Sequence, residues 1–163
     1  MNKKSSPFHL SVWITCWLAC MCSLVCYADL RLDENFSQQR LAPEISYICG
    51  GVSHYTLDEA KTLNFAPLAR KEISFGFTQS DCWFHFRATN TGDKPLALVL
   101  SSDFNLFDHL DFYIPSSGKI IKKSIGDTIP YTQRELKVRT LTIPFTINTK
   151  ETHDYYLCTR QFL

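Results

Sequence analysis

The feature that most constrains this fold is a change of hydrophobic period. Beyond Pro67 the chain gives up helical spacing and alternates at two, in the runs 72–77, 82–89, 96–101, 110–114, 119–125, 136–147 and 155–159. These runs are rich in aromatic and β-branched residues, as strands are. Gly, Asn, Asp, Ser and Pro separate them at 78–81, 90–93, 115–118 and 126–127, where such residues supply turn conformations. Successive strands with almost no helix between them pair antiparallel and bury one face of each sheet against another. The expected fold is therefore all-β, an antiparallel β-sandwich. Residues 96–100 are apolar on both faces and read as a central strand. Pro144 inside the 136–147 run marks that run as two strands or as an edge with a bend.

Only one segment carries a helix signal. Thr56 and Glu59 have capping-box spacing, and Leu57, Ala60 and Leu63 follow on one face. This predicts a short helix from Leu57 to about Leu63, with Pro67 beyond it. Before it, residues 44–49 form an apolar run closed by Gly50-Gly51, a first strand and a turn. Residues 29–43 are polar and weakly patterned and read as an irregular lead-in.

The first 28 residues have a separate logic. Lys3 and Lys4 precede an uncharged stretch from Leu10 to Tyr27, and the small residue Ala28 follows. This is the pattern of a secretion signal cut between Ala28 and Asp29. An uncleaved anchor is the competing reading, because the stretch is just long enough to cross a bilayer. Both readings place the rest of the chain outside the cytoplasm, in the periplasm or anchored beside it. Two of the 17 basic residues leave with the signal, so the formal net charge passes from +1 to −1. A nucleic-acid binder needs a basic surface, which this balance does not provide.

Four of seven cysteines lie in the signal, and Cys49, Cys82 and Cys158 remain. Three thiols allow at most one internal bridge, or else three buried unpaired cysteines. No C-x-x-C pair or Cys/His cluster remains to hold a metal, and no cofactor motif is present. Catalytic motifs are equally absent: no G-x-S-x-G, no P-loop, no G-x-G-x-x-G and no H-E-x-x-H. Asp108 and Asp111 are the one carboxylate pair with spacing for glycoside hydrolysis, and nothing else supports an enzyme.

Alternation selects the candidate ligand-binding residues. Trp83, His85 and Arg87 share one face of their strand, opposite Phe84, Phe86 and Ala88; Asp111 and Tyr113 share one face opposite Leu110, Phe112 and Ile114. A flat aromatic ring beside fixed polar groups is what sugar recognition requires. The alternatives are that Trp83 fills the sandwich centre and that Asp111 and Tyr113 form a solvated outer face. Asp108, Asp127 and Arg134 read as structural: Asp108 as a turn residue, and Arg134 as a group that pairs with Asp108 or Asp127 to pin a loop.

An ordered series of motifs adds a resemblance. The capped helix is followed by Phe65-Ala-Pro-Leu68, by Gly76-Phe77-Thr78, and by Trp83-Phe-His-Phe-Arg87 ending in Asn90. Asp108-His-Leu-Asp-Phe-Tyr113 and Ile125-Gly-Asp-Thr-Ile-Pro130 come next, with Arg134 four residues after that proline. Over about residues 43–160 this resembles the second extracellular domain of bacterial seven-transmembrane receptors with diverse intracellular signalling modules (7TMR-DISM). The resemblance implies a jelly-roll-like sandwich similar to carbohydrate-binding modules, spanning 44–163. It also implies a periplasmic sensor of a carbohydrate-like or other small solute, without catalysis and with a membrane-embedded signalling partner. In that family a recurrent Arg follows a Gly-Asp turn, which supports the loop-pinning role of Arg134. The family pattern also leads to the expectation that the sandwich is truncated after Leu163. A second expectation follows, that of a protein-interaction module or receptor fragment pairing through an exposed sheet edge.

Overall fold

A computed structural model describes residues 29–50, 54–68, 81–102 and 108–160. The expected strand at 72–77, most of the turn at 78–81 and the signal segment lie outside the described residues. Among the described residues there are nine strands and one short α-helix, besides two 3-10 turns: β1 (Asp29–Leu32), β2 (Ser46–Cys49), α1 (Leu57–Ala60), β3 (Ala66–Pro67), β4 (Cys82–Asn90), β5 (Leu96–Ser102), β6 (His109–Ser116), β7 (Lys119–Ile125), β8 (Leu141–Ile147) and β9 (Thr152–Arg160). The larger sheet has the order β3-β2-β4-β9-β6-β7, and β5 pairs with β8 in the second. All pairs are antiparallel except β1, which runs parallel to the Arg87–Asn90 end of β4 on the edge that β2 uses further along. The sandwich expectation holds.

The alternation read from the sequence decides what lies between the layers. Phe84, Phe86 and Ala88 of β4, Leu110, Phe112 and Ile114 of β6 and Tyr155 and Leu157 of β9 meet Leu141, Ile143 and Ile147 of β8 in one buried cluster. Phe86 stacks on Tyr155 with ring centroids 5.0 Å apart, Phe112 lies 5.7 Å from Tyr155, and Phe145 of β8 meets Phe112 edge-on at 5.3 Å. Burying each such ring contributes about 2–3 kcal/mol, so this cluster is the main adhesive of the two layers.

The opposite face of the larger sheet is covered too. Ala60 of α1 and Phe65 pack against Trp83 and Cys158, with Leu57, Leu63, Tyr113 and Tyr156 around them. The capping box forms as expected: Glu59 N–H donates to Thr56 Oγ1 at 3.4 Å, and Thr56 N–H donates to Glu59 Oε2 at 2.7 Å. It fixes the start of a helix too short to persist without tertiary contacts.

The helix ends at Ala60, short of the expected Leu63, and three further details differ from the sequence reading. The lead-in is not wholly irregular, because Asp29–Leu32 adds to β4 and buries Leu32; a strand this short gives too few alternations to register. The 96–100 run is apolar on both faces, but only Leu96, Leu98 and Leu100 pack against the core, half-buried, while the other face is exposed, with Val99 at 54 %. The 136–147 run yields a single strand from Leu141. Pro144 is tolerated there because its carbonyl points away from β5, accepting from Lys123 Nζ at 2.8 Å. In an antiparallel strand a residue's N–H and C=O share a side, so the missing N–H costs no ladder bond.

Cysteine pairing is settled by register. Cys49 and Cys82 are direct cross-strand partners on β2 and β4 and form a disulfide, while Cys158 is free and buried. The bridge packs with the inter-sheet core and the thiol with the cluster under α1. The two therefore lie on opposite sides of the sheet.

Candidate functional site

The register of β4, β9 and β6 brings the predicted ligand-binding residues onto one face. Trp83 lies opposite Cys158, which lies opposite Asp111; one step along, His85 lies opposite Tyr156, which lies opposite Tyr113; then Arg87 lies opposite Asp154. This is the face away from the second sheet, and α1 with the segment up to Phe65 covers part of it.

Within that shared face the five residues fall into two groups. Trp83 is fully buried and stacked on Tyr113, with centroids 5.4 Å apart and an interplanar angle of 21°. Its indole fills the space between sheet and helix. Asp111 is also fully buried, so the solvated outer face considered for it is not what the structure shows. Its Oδ1 is held by Ser124 Oγ and by His109 Nε2 at 2.9 Å, while Lys122 and Arg160 stand 3.5 and 3.8 Å from Oδ2. Burial alone would raise the Asp111 pKa; the hydrogen bonds from Ser124 and His109, with the charges of His109 and Lys122, hold it below the ordinary value. Burial, helped by the Asp111 charge, pushes Tyr113 up to about 12.

His85 and Arg87 belong to the second group, at a concave opening. They line a hollow of about 130 Å³ with Lys61, Leu63, Phe65, Asp154 and Tyr156. Asp154 organises it: His85 Nε2 lies 2.8 Å from Oδ1, and Arg87 donates from Nε to Oδ1 and from Nη2 to Oδ2, both at 3.0 Å. The hydrogen bond from His85 is the largest cause of a carboxyl pKa lowered to about 2; burial opposes it, and the Arg87 fork reinforces it. On its other nitrogen, His85 Nδ1 is 3.4 Å from Ser46 Oγ. Phe65, Tyr156 and His85 form an aromatic wall, with centroid separations of 5.7, 6.1 and 4.9 Å. A larger space of about 1220 Å³ lies between the layers, and none of the sequence-predicted site residues lines it.

Asp154, Tyr156, Phe65 and Lys61 escaped the sequence reading. The signal for the first two was available, since Asp154, Tyr156, Cys158 and Arg160 repeat along β9 the polar-aromatic alternation seen in Trp83, His85 and Arg87. Phe65 and Lys61 come from the helix and its exit, and only tertiary packing places them here.

The structural residues lie where a turn needs them. Asp108 accepts through its backbone carbonyl from Thr128 N and Oγ1 at 3.1 and 2.7 Å. Arg134 pins the same turn by donating from Nη2 to the Gly126 carbonyl at 3.3 Å, and its guanidinium lies 5.8 Å from the centroid of the Tyr131 ring. Asp127 is exposed. Thus the pin runs through a backbone carbonyl, where the sequence reading had pointed to the carboxylate of Asp108 or Asp127. No group of metal-ligating side chains exists among the described residues.

A largely antiparallel sandwich with a polar-aromatic hollow on one sheet defines a β-sandwich module. The family model 7TMR-DISM extracellular 2 matches residues 42–161, and the chain belongs to that family. The family is an extracellular sensor domain of seven-transmembrane receptors, which places this domain outside the cytoplasmic membrane in a signalling role. No curated protein matches the chain.

Proposed function

We propose that the chain is the solute-recognising part of a bacterial signalling receptor and performs no catalysis. On this reading residues 1–28 direct export and are cleaved after Ala28. A small polar solute, carbohydrate-like or other, occupies the hollow at His85, Arg87 and Asp154, and a membrane-embedded partner reads its occupancy. The observation that carries the proposal is the hollow itself, which combines aromatic walls with polar groups held rigid by Asp154. Preorganised polar groups against apolar walls are how small-molecule sites obtain orientation and specificity.

The test is a thermal-shift panel of sugars, polyols, amino acids and carboxylates. A ligand present at about 100 times its dissociation constant stabilises the fold by about 2.7 kcal/mol. A panel that leaves the melting temperature unmoved sinks the reading. A second reading, an interaction module pairing through a sheet edge, draws on β7, the outermost strand of its sheet among the described residues, which exposes Ile120 and Ile121. Lys119, Lys122 and Lys123 on that strand oppose it, since lysines on an edge discourage strand addition. Sedimentation showing concentration-dependent dimers would favour this second reading.

A further inference from the structure

We infer that the hollow takes a small carboxylate of a few carbons, its anionic group held by Arg87 and Lys61, which both line it; this deepens the solute-sensor reading and rests on it. Volume is the first argument. The hollow measures about 130 Å³, well below the roughly 300–1,000 Å³ of sites that take drug-sized ligands, so it suits a body of only a few heavy atoms.

Charge is the second. Two cations, Lys61 and Arg87, line the hollow against one carboxylate. That carboxylate is already committed, since Asp154 receives His85 on one oxygen and the Arg87 fork on both. A neutral sugar needs free acceptors for its hydroxyl protons, and Asp154 has little capacity left to offer. Donors, in contrast, remain. Arg87 spends Nε and one Nη2 proton on Asp154, which leaves Nη1 and the second Nη2 proton, on a side chain 44 % exposed. Lys61 spends one proton on Asp58, a carboxylate 92 % exposed; such a surface pair is weak and yields readily to a better placed anion.

Shape is the third argument. Phe65 and Tyr156 with the His85 ring line the same hollow as these donors, and their apolar surface suits a hydrocarbon body of a few carbons rather than a bare inorganic anion. Asp154 thus acts as a positioning residue, gripping the Arg87 guanidinium by one edge and leaving its other edge available at the hollow.

The experiment titrates the purified protein with acetate, L-lactate and succinate, and with the neutral analogues acetamide and 1,2-propanediol, at constant ionic strength set with chloride. Melting temperature and the Arg Nε–H NMR signals are followed. The expected result is that at least one carboxylate raises the melting temperature and moves the Arg87 signal, while its neutral analogue does neither. Lys61→Gln should weaken that binding about tenfold, the loss of one charge-assisted hydrogen bond, and leave the melting temperature of the ligand-free protein unchanged. Equal responses to acetate and acetamide overturn the inference, as does carboxylate binding indifferent to both Lys61→Gln and Arg87→Gln. If a sugar or polyol shifts the protein and no carboxylate does, the carboxylate inference falls and the sensor reading stands. If nothing in the wider panel shifts it, both fall.

Discussion

Replacing Asp154 by Asn tests the electrostatics of the hollow directly, because a protonated aspartate and an asparagine are nearly the same shape. In the folded chain the Asp154 pKa is lowered from the ordinary 3.8 to about 2, chiefly by the hydrogen bond from His85, against burial and with help from Arg87. Taken at face value that gap is worth about 2.5 kcal/mol. The Asp154 side chain is 37 % exposed, and solvent screening reduces the figure to about 1 kcal/mol. A carboxyl with a depressed folded pKa contributes its stability above the unfolded value and loses it as pH falls through the folded one. The contribution is therefore complete at neutral pH and disappears between 3.8 and about 2. Urea unfolding of the parent and of Asp154→Asn, measured from pH 7 down to pH 2, should give a stability difference of about 1 kcal/mol that closes at the acid end. A difference that stays constant across the range, or is absent at pH 7, refutes the claim that an ionised Asp154 holds His85 and Arg87 in place.

Two further predictions concern the frame around the hollow. The Cys49–Cys82 bridge spans 33 residues of sequence, so in the chain-entropy account its removal in a Cys49→Ala, Cys82→Ala double variant should cost about 3.5–4 kcal/mol; a loss under about 1 kcal/mol in chemical denaturation would contradict that account for this loop. Gly126 has φ +150° and packs so closely on the Asp108 carbonyl that a Cβ would overlap it. Gly126→Ala should therefore lower stability by at least about 2 kcal/mol, and a melting temperature equal to the parent's would show that the turn is freer than its contacts indicate.

What the sequence reveals, it reveals through period. Strands whose side chains alternate cleanly, such as Phe84, Phe86 and Ala88 against Trp83, His85 and Arg87, could be assigned to faces without coordinates, because burial on one side enforces a repeat of two. The same logic placed Asp111 and Tyr113 on their shared face. It could not say how deep each would sit. Trp83 and Asp111 are sealed beneath Ala60 and among neighbouring side chains, while His85 and Arg87 border an opening, and that distinction depends on where a short helix lies across a sheet. Asp154 was hidden for a related reason: its role comes from being opposite Arg87 in the β4–β9 register, a relation between residues 67 apart in sequence. The Pro144 strand was ambiguous because a proline's cost depends on which side its missing donor faces, and only the pairing partner decides that.

The arrangement of Cys49, Cys82 and Cys158 makes strand register a proofreader of oxidation. Cys158 is one position out of step with Cys82, facing the other way. Joining the two would require β9 to slip by a single residue against β4. That slip would turn Tyr155 and Leu157 out of the inter-sheet core and drive Asp154 and Tyr156 into it. A wrongly linked chain therefore cannot acquire the apolar interior that makes the correct one stable. Once the sheet has closed, its own backbone is a wall between the surviving thiol and the bond it would attack.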